Sequence, residues 1–358
     1  MEALVLVDEA VLELQDIPIP ERPGHDWVLV EVAFAGICQS DQERAFTGGA
    51  YHYPLIMGHE LSGVVAESAR GGALAAGTRV AVMPLLPCRR CRACARQDFA
   101  KCADYDYLGS RRDGGFARYV WAPEANLYVL PERLDLKTAA LLEPCAVALH
   151  GASLFERAGA EGALVIGDGP LGVMLAQWLR LRGCARVVVS GRHREKLERC
   201  VALGFETILA GEEDVAAAFE ARFDGHRPPL VAEAVGREET ILQALRCGGN
   251  GCQVVLLGNP RSDVTIPRDL FSSLLRREVV IRGAWNSRVA PPEQDQWRQA
   301  LAELGRAMEV ESLISHVYPL EQGVEVFQRL RARAEPFSKV LLEIGAAGPA
   351  RARDPRGR

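Results

Sequence analysis

No apolar run in the 358 residues approaches the roughly 20 positions that a bilayer core demands, so a membrane-spanning chain is not expected. Positive charge is scarce as well. Lys and Arg number 42 against 47 Asp and Glu, a formal net charge of −5, which leaves no basic footprint for nucleic acid. The start Met1-Glu2-Ala3-Leu4 lacks the basic region of a secretory signal, and the protein is expected in the cytoplasm. No internal repeat or low-complexity tract precedes the tail. What remains is an ordinary globular composition on a chain longer than one hydrophobic core usually serves, and two domains are expected.

Ten cysteines in a cytoplasmic protein do not make a disulfide frame. Cys145, Cys184, Cys200, Cys247 and Cys252 are scattered and read as small apolar fillers. Cys88, Cys91, Cys94 and Cys102 are different. Two-residue gaps let successive thiolates point at one centre, and four thiolates complete a tetrahedral zinc site with no place for substrate. Arg89, Arg90 and Arg92 add positive charge that favours thiolate. An iron–sulfur cluster is the rival, but no Cys-Pro ending follows, which favours structural zinc.

Strand-like alternation fills the first part, at Ala3–Val7, Val11–Leu14, Trp27–Val32, Leu61–Ala66, Thr78–Met83 and Phe116–Ala122. After Pro131 the texture changes to strands alternating with helices, which predicts a parallel sheet. Helices are expected at 136–155, 173–181, 195–203, 293–308 and 320–332. Strands are expected at 163–166, 187–189, 230–235, 253–257, 279–281 and 339–344. The Gly-, Ala-, Pro- and Arg-rich tail, 346–358, is expected to be disordered.

Between strand and helix runs Gly167-Asp168-Gly169-Pro170-Leu171-Gly172. Such a turn alone is a weak signal, but following an apolar strand and opening a helix it predicts a nicotinamide dinucleotide site. Gly167 allows the turn, Gly169 admits the pyrophosphate, and Gly172 permits close helix packing. Asp168 is odd there, since its charge would repel a pyrophosphate unless it points away. Four further ligand types occupy loops: Cys38, His59, Glu60 and Glu143. A catalytic zinc needs about three protein ligands and one open position, which these residues fit.

Together the Cys38 loop, Gly58-His59-Glu60, the cysteine quartet, Asp113-Gly114-Gly115-Phe116-Ala117, Glu143-Pro144 and the glycine turn resemble the zinc-dependent medium-chain dehydrogenase/reductase family. The likeness spans residues 1 to 344 and is strongest to the polyol branch. It implies an α/β fold in which a GroES-like β catalytic domain (1–150 and 286–345) carries an inserted Rossmann domain with a doubly wound parallel sheet (151–285). It implies one catalytic and one structural Zn²⁺ per chain, with Cys38, His59 and Glu60 or Glu143 at the former. Ser40 corresponds to the hydroxyl that accepts the substrate proton, and Tyr51, Phe116 and Trp285 are expected pocket walls. A homodimer or homotetramer is implied. The implied reaction is hydride transfer between a nicotinamide cofactor and a secondary alcohol or ketone of a polyol or sugar-alcohol phosphate. An NADPH-dependent cyclitol or aminosugar dehydrogenase is the alternative, and a non-catalytic relative would have no chemical need for Cys38, His59 and Glu143 together.

Three departures stand out. Gln39 stands where polyol dehydrogenases usually have Gly. Asn286 and Ser287 replace an Arg-Tyr pair that sorbitol enzymes carry near the sugar. After the second Rossmann strand the chain reads Ser190-Gly191-Arg192-His193-Arg194, with Gly191 where polyol relatives place Asp. Loss of that acid, with Arg192 beside it and Ser190 and Arg194 as further donors, predicts NADP(H) over NAD(H).

Overall fold

A computed structural model of the protein describes residues 1–156 and 159–345. The tail 346–358, expected to be disordered, lies outside them. The chain divides into two compact units. One comprises Met1–Ala95, Cys102–Glu143 and the chain from Ile314; the other comprises Arg96–Lys101 and Pro144–Leu313.

The first unit is built on the strand Trp27–Ile37, whose alternating apolar residues face a core containing Val30, Val32, Leu61, Phe116 and Phe327. Glu60–Glu67 pairs antiparallel along one edge of it. Tyr119–Pro123 takes the start of the other edge and Lys339–Glu343 its end. Ile314–Pro319 then lies parallel to Lys339–Glu343, so the last strands complete a sheet that the first ones began.

The second unit holds a six-stranded sheet, parallel throughout. Its order is Glu206–Leu209, Val187–Gly191, Ala163–Ile166, Leu230–Glu233, Gln253–Leu256, Val280–Gly283. Ala163–Ile166 and Val187–Gly191 are buried at every position, which is why they read as unbroken apolar runs. The strand order reverses beside Ala163–Ile166, the switch point of a doubly wound sheet. Fold class thus agrees with expectation.

The division differs from the expected boundaries at 150 and 286, because the flanking segments are tied to the parallel sheet's own helices. Trp178 Nε1 donates to Cys145 O at 3.0 Å. Gln177 Nε2 donates to Glu309 O at 2.7 Å and its Oε1 accepts from Glu309 N at 2.9 Å. His150 meets Gln296 at 3.2 Å. Two helices are also shorter than the periodicity predicts. The stretch 136–155 breaks into Leu136–Ala139 and Leu142–Ser153. The stretch 293–308 keeps only Gln296–Glu303, since Asp295 caps Trp297 N and Arg298 N, and Leu304 is extended before Gly305 at φ +67°.

Gly63 faces Val32 in the antiparallel pair, and a Cβ there would be driven into the backbone carbonyl of Glu31. Gly63→Ala is therefore expected to cost about 1–3 kcal/mol of stability through overpacking. Urea denaturation checks this, and an unshifted midpoint would contradict the strand spacing described.

Candidate functional site

Cys88 follows the strand Leu85–Leu86, Cys94 sits in the short helix Arg92–Ala95, and Cys102 follows the turn Phe99–Lys101. The four sulfurs converge, each within 4.8 Å of the others. Cys88 and Cys94 sulfurs are 4.0 Å apart and those of Cys91 and Cys102 are 3.8 Å apart. A tetrahedral zinc with bonds of about 2.3 Å spaces its sulfurs by about 3.8 Å, so the quartet fits that ion. All four thiols are free. Backbone N–H groups, not guanidinium groups, do most to favour thiolate here. The foremost cause lowering Cys88 is the Arg90 backbone N–H, while the Arg90 side chain pairs with Asp104. Backbone bonds at Cys94 and Ala103 bring Cys91 down to about 6.

The second cluster arises from strand register. Cys38 directly follows the central strand Trp27–Ile37 and caps the N-terminus of the helix Gln39–Phe46. Gly36 pairs with Glu60, and because Gly36 has no side chain the Glu60 carboxylate lies directly over it. Gly58, at φ +92°, turns the chain so that His59 follows. One donor atom each from Cys38, His59 and Glu60 falls within 4.8 Å of the others, and His59 and Glu60 are buried. Ser40 is half-buried in the first turn of the helix.

Three residues that the sequence did not single out hold this cluster in place. Asp41, fully buried, accepts Cys38 N at 3.0 Å and Arg44 Nη1 at 3.1 Å. Its Oδ1 also approaches His59 Nδ1 at 3.3 Å, close enough for ion pairing although not aligned as a hydrogen bond. A carboxylate behind a histidine in this way orients the ring as a metal ligand. Lys339 Nζ donates to both Glu60 oxygens at 2.7 Å, and the ion pair is buried. Tyr107 OH donates to Glu143 Oε1 at 3.3 Å. Glu143 is thus beside the cluster but not among the three converging donors.

The charges show what this niche is built to hold. Burial opposes a charged His59, yet Asp41 and then Cys38 lift its pKa well above the ordinary value. Burial foremost raises Glu143 to about 7, against the pull of His59. A buried site that draws positive charge to His59 while offering sulfur, nitrogen and carboxylate donors fits a divalent transition metal, which would take the proton's place.

In the second unit Gly167 stands at φ +133°, and its N–H donates to Ser190 O at 2.8 Å. Gly169 caps the helix Pro170–Leu181, with Pro170 in its first turn. A Cβ on Gly172 would strike Gly167 O. The anomalous Asp168 points away from the turn, and its Oδ2 accepts Arg192 N at 3.0 Å and His193 N at 2.9 Å. Arg192 pairs with Glu239, and Arg194 with Glu212 at 2.9 Å. Ser190 Oγ is buried without a partner. Of the expected pocket walls, Tyr51 and Trp285 are exposed, whereas Phe116 is core, packed on Phe327 with centroids 5.9 Å apart. Ser287 Oγ accepts from Trp297 Nε1 at 2.9 Å, and Asn286 takes φ +57°.

Comparison with known proteins adds names to this geometry. Residues 24–132 match the alcohol dehydrogenase GroES-like domain and residues 170–306 the zinc-binding dehydrogenase domain. Galactitol 1-phosphate 5-dehydrogenase of Escherichia coli (strain K12) is 31% identical over 96% of this chain and 99% of its own. A crystal structure of galactitol-1-phosphate dehydrogenase from Escherichia coli superposes with a TM-score of 0.89 at 31% identity, covering 96% of this chain and 100% of that one. A putative zinc-binding dehydrogenase from Sinorhizobium meliloti 1021, bound to NADP, gives 0.86 at 28% identity, over 96% and 98%. The chain therefore belongs to the zinc-binding alcohol dehydrogenase family.

Proposed function

We propose that the protein is a zinc-dependent dehydrogenase that moves a hydride between a nicotinamide cofactor and a secondary alcohol or ketone of a polyol or sugar-alcohol phosphate. The observation that carries this is the buried convergence of Cys38, His59 and Glu60 in a chain that also holds a complete glycine turn. The first unit is the catalytic one and the second the dinucleotide-binding one. Cys38, His59 and Glu60 would hold the catalytic zinc, and Cys88, Cys91, Cys94 and Cys102 the structural one. When bound, the catalytic zinc supplies a Lewis acid for the substrate oxygen, and the nicotinamide supplies the hydride donor or acceptor. Asp41 fixes His59, and Lys339 neutralises Glu60 so that its carboxylate tolerates burial. Ser40 takes the substrate proton toward solvent. Glu143, held by Tyr107, is the second carboxylate, available when Glu60 stays with Lys339.

Gly167, Gly169, Pro170, Leu171 and Gly172 receive the pyrophosphate at the helix N-terminus. For the adenosine end we retain NADP(H) as the form favoured by Arg192, with Arg194 as a further donor. Both Arg192 and Arg194 lie in exposed ion pairs, which such side chains leave at little cost. A cytoplasmic location is supported by ten thiols, all unbridged.

The phosphate of a polyol phosphate has a counterpart in Arg111. Its guanidinium lies between the rings of Tyr51 and Tyr105, 4.4 and 4.1 Å from the centroids, and has no carboxylate partner among the described residues. It lines a cleft of about 500 Å³ with Trp27, Leu86 and Arg112, whereas Arg112 pairs with Asp106 at 2.7 Å. Tyr105 contacts Tyr107, which contacts His59, linking Arg111 to the metal cluster through ring contacts of 6.3 and 5.9 Å.

We infer a homodimer as well. Among the described residues the edge strand Val280–Gly283 pairs on one side only, and Val280, Ile281, Phe271 and Leu275 of the same unit expose 40%, 44%, 55% and 66% of their surface.

Three outcomes are expected. Metal analysis of the wild type gives two zinc ions per chain, and Cys38→Ser retains one. Loss of Lewis-acid help worth several kcal/mol then lowers turnover by on the order of a thousandfold with the fold intact. Cys88→Ser instead loses the structural ion and melts at a lower temperature. A wild type with one zinc, or with an iron–sulfur chromophore, would overturn the assignment. In a substrate panel with both cofactors, Arg111→Ala raises KM for polyol phosphates by about 10- to 100-fold while leaving unphosphorylated polyols within twofold. An equal effect on both classes would remove Arg111 from the phosphate. Light scattering gives a wild-type mass of twice 39.0 kDa and Ile281→Lys shifts it toward the monomer; a wild-type monomer would end the dimer proposal.

A further inference from the structure

Sequence alone leaves the end of the second parallel strand without an acid, since Gly191 stands there and the next carboxylate in the chain is Glu195. The structure supplies one from elsewhere. A Cβ built on Gly191 would lie 2.5 Å from the Asp168 carboxyl carbon, with Asp168 Oδ2 and Cβ equally near. An aspartate at 191 would hold its own carboxylate oxygens about 2.4 Å from that Cβ, by ordinary bond lengths. Asp168 therefore fills the space that an acidic side chain at 191 would fill and brings a carboxylate oxygen to the same spot.

The arrangement is fixed on several sides. Oδ2 accepts Arg192 N at 3.0 Å and His193 N at 2.9 Å, and lies 3.0 Å from His193 Nδ1. Among the described residues no hydrogen bond reaches Oδ1. The Asp168 side chain is 11% exposed, so it is held rather than dangling, yet it is not sealed from solvent. Only glycine at 191 leaves room for it. Asp168 and Gly191 are thus two halves of one device, and neither residue type makes sense without the other.

We propose that Asp168 is the specificity-determining carboxylate for the adenosine ribose, delivered by the glycine turn in place of a residue at the strand end. The proposal rests on the dinucleotide-binding reading of the second unit. A carboxylate at this place accepts hydrogen bonds from ribose hydroxyls and repels a 2′-phosphate. It also occupies the two backbone N–H groups that an incoming phosphate would otherwise find free. Arg192 favours the phosphorylated cofactor and Asp168 opposes it, so the preference of the enzyme is the balance between an exposed surface cation and a fixed anion. A residue that merely ties the turn to the neighbouring loop would support both cofactors equally.

The test uses the zinc-loaded full-length protein and fluorescence titration with NADH and NADPH, with kcat/KM for the two oxidised forms alongside. Asp168→Asn keeps the volume and removes the charge. Its NADPH-to-NADH affinity ratio is expected to rise at least tenfold over wild type. The double variant Asp168→Ala/Gly191→Asp returns the acid to the strand end and is expected to restore the wild-type ratio to within threefold. If Asp168→Asn does not fold, the double variant is compared with Asp168→Ala instead, and the same restoration is expected. Equal weakening of both cofactors, with an unchanged ratio, overturns the proposal and leaves a structural tie, while the dinucleotide site stands. Failure of the wild type to bind either nucleotide defeats both.

Discussion

A buried carboxylate is tolerable only when something pays for its lost hydration, and the first unit is arranged around one such group. Glu60 is 1% exposed, lies over Gly36 in the central strand pair, and is held through both oxygens by Lys339. Removing the lysine would leave an uncompensated charge at a cost of about 3–5 kcal/mol. Three distant stretches must therefore be in register at once: the strand carrying Gly36, the strand opened by Glu60, and the strand opened by Lys339. The same register sets Cys38 and His59 beside Glu60, so the fold cannot form correctly without forming the donor cluster.

The two cysteine-bearing sites solve different problems with the same element. Around Cys88, Cys91, Cys94 and Cys102 the chain folds tightly on itself and its backbone N–H groups steady the sulfurs, giving a closed, local site. The Cys38 cluster is non-local and backed by side chains: Asp41 behind His59, Lys339 behind Glu60 and Tyr107 behind Glu143. Three mixed donors leave a tetrahedral ion one open position, which four sulfurs do not.

How far these features were legible follows from the range of the interactions. The quartet and the glycine turn are local, so spacing revealed them. The doubly wound sheet was legible because its buried strands are unbroken apolar runs alternating with helices. Lys339 was not, since nothing near it in the chain announces that its partner lies 279 positions away. Asp41 lay in plain view next to Cys38 but took meaning only once His59 was brought to it. The compact units end elsewhere than the expected domain boundaries because Gln177, Trp178 and Gln296 act through side-chain hydrogen bonds that leave no periodic pattern. Phe116 looked like a pocket wall because an aromatic beside glycines does, and only packing against Phe327 shows it to be core.

The strand Lys339–Glu343 sits inside its sheet, between Trp27–Ile37 and Ile314–Pro319, and not at the margin. During synthesis the ribosome delivers it after every other strand of that sheet. The parallel-sheet unit, nearly continuous from Pro144 to Leu313, has all its strands in hand much earlier and is free to fold while the chain is still emerging. The first unit must meanwhile wait with a gap beside its central strand and with the Glu60 charge unanswered. The donor cluster around Glu60 thus waits for the last strand of its own sheet, and the nascent chain exposes a strand edge until Lys339 arrives.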